Sequence, residues 1–108
     1  MLRYKNVPSI EFDLGNGYMV KADYIYNRDT EKYYVTLHIR TTTVNQWNLM
    51  GKYENVEFDS DIKSIKGEIA KYVTELLTEG FFKYYMDRTD YELKCFDFGM
   101  VNMVRGVE

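Results

Sequence analysis

The chain offers few side chains that could act as a nucleophile, a general base or a metal ligand. His38 is its only histidine and Cys95 its only cysteine. A Cys–His pair requires the two side chains to meet, and a zinc site needs three or four ligands that are commonly Cys or His. His38 is predicted in the middle of a strand, whereas Cys95 falls beside an apolar helical seam. We therefore predict neither site, and we expect no metal and no cofactor.

Paired carboxylates are the second kind of residue that could do chemistry. Glu11 and Asp13 are two positions apart in a predicted strand, so their side chains share one face of the sheet. Such a pair could hold a divalent ion or serve as a glycosidase-like acid and base, with His38 on the same face. We favour the simpler explanation that they form the solvated outer side of a half-buried strand. No nucleophile elbow, Walker or dinucleotide motif is present, so we predict that the chain is not an enzyme and keep a small carboxylate/His enzyme as an alternative.

Tyrosine next to carboxylate is the pattern from which the main functional hypothesis follows. The chain has eleven tyrosines in 108 residues, and a core of this size cannot easily hide that many phenol hydroxyls. Two segments interleave tyrosines with acidic residues, so that the ring supplies contact area and the charge steers a cationic partner. Ordinary solvated helix ends are the alternative for either segment. The predicted binding residues are, in the first segment, Tyr53, Glu54 and Glu57, and, in the second, Tyr84, Tyr85, Asp87 and Tyr91.

The hydrophobic pattern changes period near Asp59, and this change predicts the architecture. Before it, apolar residues alternate, which indicates strands at residues 9–14, 18–26 and 32–42 and a short fourth strand at 53–58. Residues 44–52 have no clear period and are predicted to be a loop around Trp47. Gly15-Asn16-Gly17 is a hairpin turn signal, because both residue types tolerate positive φ.

After Asp59 the apolar residues recur every three or four positions, which predicts helices. Ser60 is expected to cap the first helix. Gly80 either ends it or lies inside a longer helix, and we favour an end or kink between Gly80 and Asp87. Thr89 and Glu92 have capping-box spacing, which favours a second helix over residues 90–104 rather than a strand. The prediction is one α+β domain over residues 1–108: an antiparallel meander of three to four strands, then two helices packed on one sheet face.

The opposite sheet face stays open in this arrangement and suggests a second function. Tyr34, His38 and Arg40 point outward from it, together with Lys21, and small exposed sheets of this kind can bind DNA or RNA. Glu11, Asp13 and Asp23 belong to the same face and repel phosphates, and the net charge is −3. We therefore favour a protein-binding module and keep a nucleic-acid-binding domain as the alternative.

Residues 78–99, TEGFFKYYMDRTDYELKCFDFG, resemble the C-terminal helical part of small uncharacterised accessory proteins of mobile elements and phages of low-GC Gram-positive bacteria. The resemblance covers about a fifth of the chain. It implies a cytoplasmic accessory protein with no known enzymatic role, and some proteins of this kind inhibit host defence nucleases. The hypothesis is thus a regulator or inhibitor that binds another protein.

Location and assembly follow from simpler features. A single cysteine suits a reducing cytoplasm. The N-terminal residues have no signal-peptide core, and no apolar run approaches the roughly 20 residues of a membrane-spanning helix, so we expect no membrane association. A homodimer is possible through Met100 and Met103 or through an uncovered sheet edge.

Overall fold

Five antiparallel strands form one sheet in the computed structural model, which describes residues 7–59 and 64–91. The first four strands form a meander and all five precede the helices, so the predicted α+β class is confirmed. Their bounds are β1 Ser9–Asp13, β2 Tyr18–Asn27, β3 Lys32–Thr41, β4 Asn48–Leu49 and β5 Val56–Asp59.

Two short strands share one edge of β3: β5 overlaps the predicted fourth strand at 53–58, whereas β4 lies in the segment predicted as a loop. β4 pairs with His38 and Ile39, whereas β5 pairs with the first four residues of β3. Between them the chain leaves the sheet as a 3-10 helix, Gly51–Tyr53. The predicted fourth strand is therefore confirmed as β5 but begins at Val56 instead of residue 53, and the prediction of an unbroken loop over 44–52 was wrong. The excursion has a packing reason, since it buries Met50 and Tyr53 in the core.

Strict alternation along β2 and β3 assigns one sheet face to the core. Val20, Ala22, Val35, Leu37 and Ile39 are buried there, as the alternation predicts. Each residue between them points to the other face, because successive strand side chains alternate. The chain after β5 supplies the opposing half of the core with Ile69, Val73, Leu76 and Phe82.

Helix α1 spans Ile65–Thr78 and has a well-defined cap at each end. Ser64, rather than the predicted Ser60, is the N-cap, and its hydroxyl accepts a hydrogen bond from the Gly67 N–H at 3.1 Å. Residues 60–63 lie outside the described residues. At the C-terminus Gly80 has φ +79°, and its N–H and that of Phe81 donate to the carbonyls of Leu77 and Leu76. This is the Schellman arrangement, so Gly80 ends the helix.

A second helix, α2, is described over residues 83–91. The predicted start at residue 90 was wrong, because Thr89 lies inside the helix and is buried rather than capping it. Phe82, Met86 and Thr89 share a helical face turned to the protein. Residues 92–104 of the predicted helix, together with Cys95, Met100 and Met103, lie outside the described residues. Within the described part of the chain, no helix is long and apolar enough to cross a membrane.

Candidate interaction surfaces

The side of the sheet that faces away from the helices is called the outer face here. The strand register arranges its side chains in rows across β1, β2 and β3, continued by β4 or β5. Tyr34, His38 and Arg40 all lie on this face, as predicted. The rows are Glu11–Lys21–His38–Leu49, Asp13–Met19–Arg40, Ser9–Asp23–Thr36 and Ile25–Tyr34–Glu57.

The guanidinium of Arg40 is bound to the backbone of the loop that follows β3. Its Nη1 donates to the carbonyl oxygen of Thr41 at 3.1 Å and to that of Val44 at 3.4 Å. Its Nη2 lies 3.4 Å from the sulfur of Met19. The cation therefore ties the loop to the sheet, and both of its Nη groups are already engaged within the chain.

Trp47 lies above the same part of the outer face and contacts both cations there. The Cζ atom of Arg40 is 4.9 Å from the centroid of the Trp47 ring, and the Nζ atom of Lys21 is 5.1 Å from it. Both distances are within the range of cation–π attraction. Trp47 was not among the predicted site residues. The only hint of its role in the sequence is that a single tryptophan stands in a stretch without period. Its contacts come from distant strands, so no local pattern predicts them.

His38 occupies the centre of the outer face and is an uncharged base at neutral pH. Burial lowers its pKa from the usual value; Asp23 and Glu54 oppose that shift, while Lys21 adds to it. Its Nδ1 atom is buried, has no hydrogen-bond partner among the described residues and lies 3.7 Å from Oδ2 of Asp23. This separation exceeds hydrogen-bond distance.

Glu11 and His38 do not come together as the enzyme alternative requires. Lys21 stands between them in the register, so two strand spacings separate them, about 10 Å. Glu11 and Asp13 share a face as predicted. Among the described residues, no three or more His, Cys, Asp or Glu side chains are grouped so that they could hold a metal ion.

The outer face carries more negative than positive charge. Its carboxylates are Glu11, Asp13, Asp23, Glu57 and Asp59, against the cations Lys21, Arg40 and Lys32. Lys32 pairs with Asp59 at 3.6 Å, and Lys21 and Arg40 both lie against Trp47. The acidic side chains therefore dominate the field that an approaching molecule meets.

The first acidic–tyrosine segment is only partly a surface. Tyr53 is 6% exposed and packs edge-on against Tyr72 and Phe82 in the core, so its prediction as a contact residue was wrong. The 3-10 helix after β4, which the sequence pattern does not reveal, turns its ring inward. Glu54 and Glu57 are exposed, and Glu57 pairs with Tyr34, which makes it part of the outer face.

The second acidic–tyrosine segment forms the exposed side of α2. Tyr84 is 60% exposed and Tyr91 is 67% exposed, whereas Tyr85 is half-buried and its hydroxyl accepts a hydrogen bond from the Lys52 N–H at 2.9 Å. Asp87 pairs with Lys83 at 2.9 Å on the surface. A cleft of about 440 Å³ separates α2 from β4 and is lined by Ile39, Asn48, Leu49, Gly51, Tyr84, Tyr85, Arg88 and Thr89.

Half of the ten described tyrosines lie in the core or pack against it, namely Tyr18, Tyr24, Tyr53, Tyr72 and Tyr85. Only Tyr26, Tyr84 and Tyr91 are exposed among them. Burial raises the pKa of Tyr53 and of Tyr72, as expected for phenols whose charged form would lose solvent. The high tyrosine content therefore supports a binding surface less strongly than the sequence alone suggests.

Comparisons with protein-family models, with curated proteins and with solved structures gave no match. The function has to be argued from the two surfaces themselves.

Proposed function

We propose that the chain is a non-enzymatic protein-binding module whose outer face docks a basic partner protein. The observation that carries the proposal is the composition of this face: exposed apolar side chains stand among carboxylates, while its central cations are held within the chain. Ile25 is 48% exposed and Leu49 is 47% exposed. Apolar contact area with a rim of one charge is typical of surfaces that select a partner by complementarity.

Nucleic-acid binding is the weaker candidate on the same face. Arg40 would have to release the carbonyls of Thr41 and Val44, and Lys21 would have to leave Trp47, before either could bind a phosphate. Exposed carboxylates surround both cations and oppose a polyanion. Each of these features favours a cationic protein instead.

The resemblance in residues 78–99 adds a biological setting to the proposal. It supports a regulator or inhibitor encoded by a mobile element or phage and acting in the cytoplasm. The single cysteine agrees with that compartment. The neighbouring genes provide an independent test of this setting.

The test compares three forms of the full chain as baits in a lysate of the cells that carry its gene. One is unchanged, one carries Glu11→Lys and Glu57→Lys on the outer face, and one carries Glu68→Lys and Glu75→Lys on the exposed side of α1. Both variants change the net charge equally, and all four positions are exposed. We expect a protein that binds the unchanged chain and the α1 variant but loses about tenfold or more in affinity for the outer-face variant.

Two results would contradict the proposal. One is a partner that binds the outer-face variant as well as the unchanged chain, and the other is recovery of no partner at all. Gel shifts with single- and double-stranded oligonucleotides at low salt test the alternative, because binding that Arg40→Met abolishes would favour nucleic acid.

A further inference from the structure

A small hollow on the outer face has the chemistry of a socket for one basic side chain. It measures about 170 Å³ and is lined by Val7, Asp23, Tyr24, Ile25, Tyr34, Thr36 and Asn55. We propose that this hollow, called the Asp23 socket below, receives a lysine or arginine side chain of the partner protein. The inference rests on the proposed function, because it names the contact by which the outer face selects a basic partner.

The apolar walls of the socket suit the stem of a long cationic side chain. Ile25 and Tyr34 are direct neighbours across β2 and β3, so their side chains flank the same space. Lysine and arginine bury their methylene stems along such surfaces while the charged head reaches a polar group. A tyrosine ring also attracts a cation that passes over its face.

The polar end of the socket is a carboxylate without a strong partner. The side chain of Asp23 is only 29% exposed, and the one ion pair it forms among the described residues is with His38 at 3.7 Å. Because burial lowers the pKa of His38, this partner is uncharged at neutral pH. An entering ammonium or guanidinium would donate charge-assisted hydrogen bonds to a carboxylate that now receives none from the described residues.

The walls are already fixed in position, which reduces the entropy lost on binding. The Tyr34 hydroxyl donates to Oγ1 of Thr30 at 3.0 Å, and the Asn55 N–H donates to Oγ1 of Thr36 at 3.0 Å. Asn55 itself has φ +55°, a conformation that ends the 3-10 excursion and brings its N–H to the sheet. The socket is thus formed before a partner arrives.

Other occupants fit the socket less well. An acidic side chain would meet Asp23 with like charge. A purely apolar side chain would remove water from the carboxylate without replacing the lost hydrogen bonds.

Three blocked tripeptides serve as probes for this proposal: Ala-Lys-Ala, Ala-Arg-Ala and the uncharged Ala-norleucine-Ala. We expect the two cationic peptides to shift the NMR signals of Asp23, Ile25, Tyr34 and Thr36 in the full chain, and the norleucine peptide to leave them unchanged. Asp23→Asn keeps the size of the side chain and should weaken peptide binding about tenfold. Asp29→Asn is the matched control, because it removes the same charge from the exposed turn of the same hairpin.

Three results would overturn the socket proposal. The first is equal shifts with the norleucine peptide, and the second is unchanged affinity in Asp23→Asn. The third is peptide binding that appears only in an Arg3→Gln/Lys5→Gln variant, which would assign the socket to the first residues of the chain itself. A captured partner that tolerates Asp23→Asn but not the Glu11→Lys/Glu57→Lys variant would reject the socket while leaving the proposed function standing.

Discussion

Replacing Arg40 by methionine tests whether this side chain holds the loop that carries Trp47. The substitution keeps an unbranched apolar stem and removes the hydrogen bonds to the carbonyls of Thr41 and Val44 together with the contact to the Trp47 ring. Two charge-assisted bonds on a half-buried group contribute about 3 kcal/mol, and the cation–π contact adds about 0.5 kcal/mol. The substitution also removes Nε of Arg40, a buried donor with no partner in the described part of the chain, which returns about 1 kcal/mol. We therefore expect Arg40→Met to lower the free energy of unfolding by about 2.5 kcal/mol.

The assay is urea unfolding followed by circular dichroism and by tryptophan fluorescence. Trp47 is the only tryptophan, so its emission reports the outer face alone. We expect the emission of the folded variant to shift to the red as the ring becomes more solvated. Lys71→Met is the control, since Lys71 is an exposed cation on α1. An unchanged emission and a stability within about 0.5 kcal/mol of the parent would refute the role given to Arg40.

Three further predictions concern single positions. Gly80→Ala should lower the free energy of unfolding by about 1 kcal/mol, because Gly80 has φ +79° and the added methyl meets no atom within 4 Å. Gly51→Ala is the control in the same urea assay and should change the free energy of unfolding by less than about 0.5 kcal/mol, because its added methyl also meets no atom and its φ is not positive. Burial lowers the pKa of His38 in the folded chain, so the unfolded chain takes up the proton first and stability should fall as pH drops below 6.5. An identical decrease in stability between pH 7 and 5.5 in the His38→Gln variant would contradict this. Burial, followed by the carboxylates of Asp90 and Asp87, raises the pKa of Tyr18 to about 12, so stability should fall between pH 10 and 12 because the phenol ionises first in the unfolded chain. Tyr18→Phe should reduce that loss of stability, as measured by unfolding at pH 9 and 11.

The sheet was predictable because its signals are local. Alternation along residues 18–26 and 32–42 identifies both faces, and the Gly15-Asn16-Gly17 turn fixes the first hairpin. β4 and the 3-10 helix after it were not predictable, because burial of Met50 and Tyr53 is a property of the assembled core. The capping-box spacing at Thr89 gave a wrong start for the second helix for the same reason, because tertiary burial overrides a local cap signal.

The candidate site was predictable only in part. The alternation of side chains along the third strand was sufficient to predict that Tyr34, His38 and Arg40 lie on the outer face. The roles of Arg40 and Trp47 depend on contacts between β2, β3 and a loop, which no spacing in the sequence encodes. Tyr53 shows the converse error, since an aromatic residue beside carboxylates has the composition of an interface and yet lies in the core.

NMR mapping of the chain bound to its captured partner tests directly whether the outer face is the docking surface. We expect the indole signal of Trp47 and the methyl signals of Ile25 and Leu49 to change most, with α1 signals unchanged. Changes confined to the exposed sides of α1 and α2, with the outer-face signals unaltered, would contradict docking at the outer face.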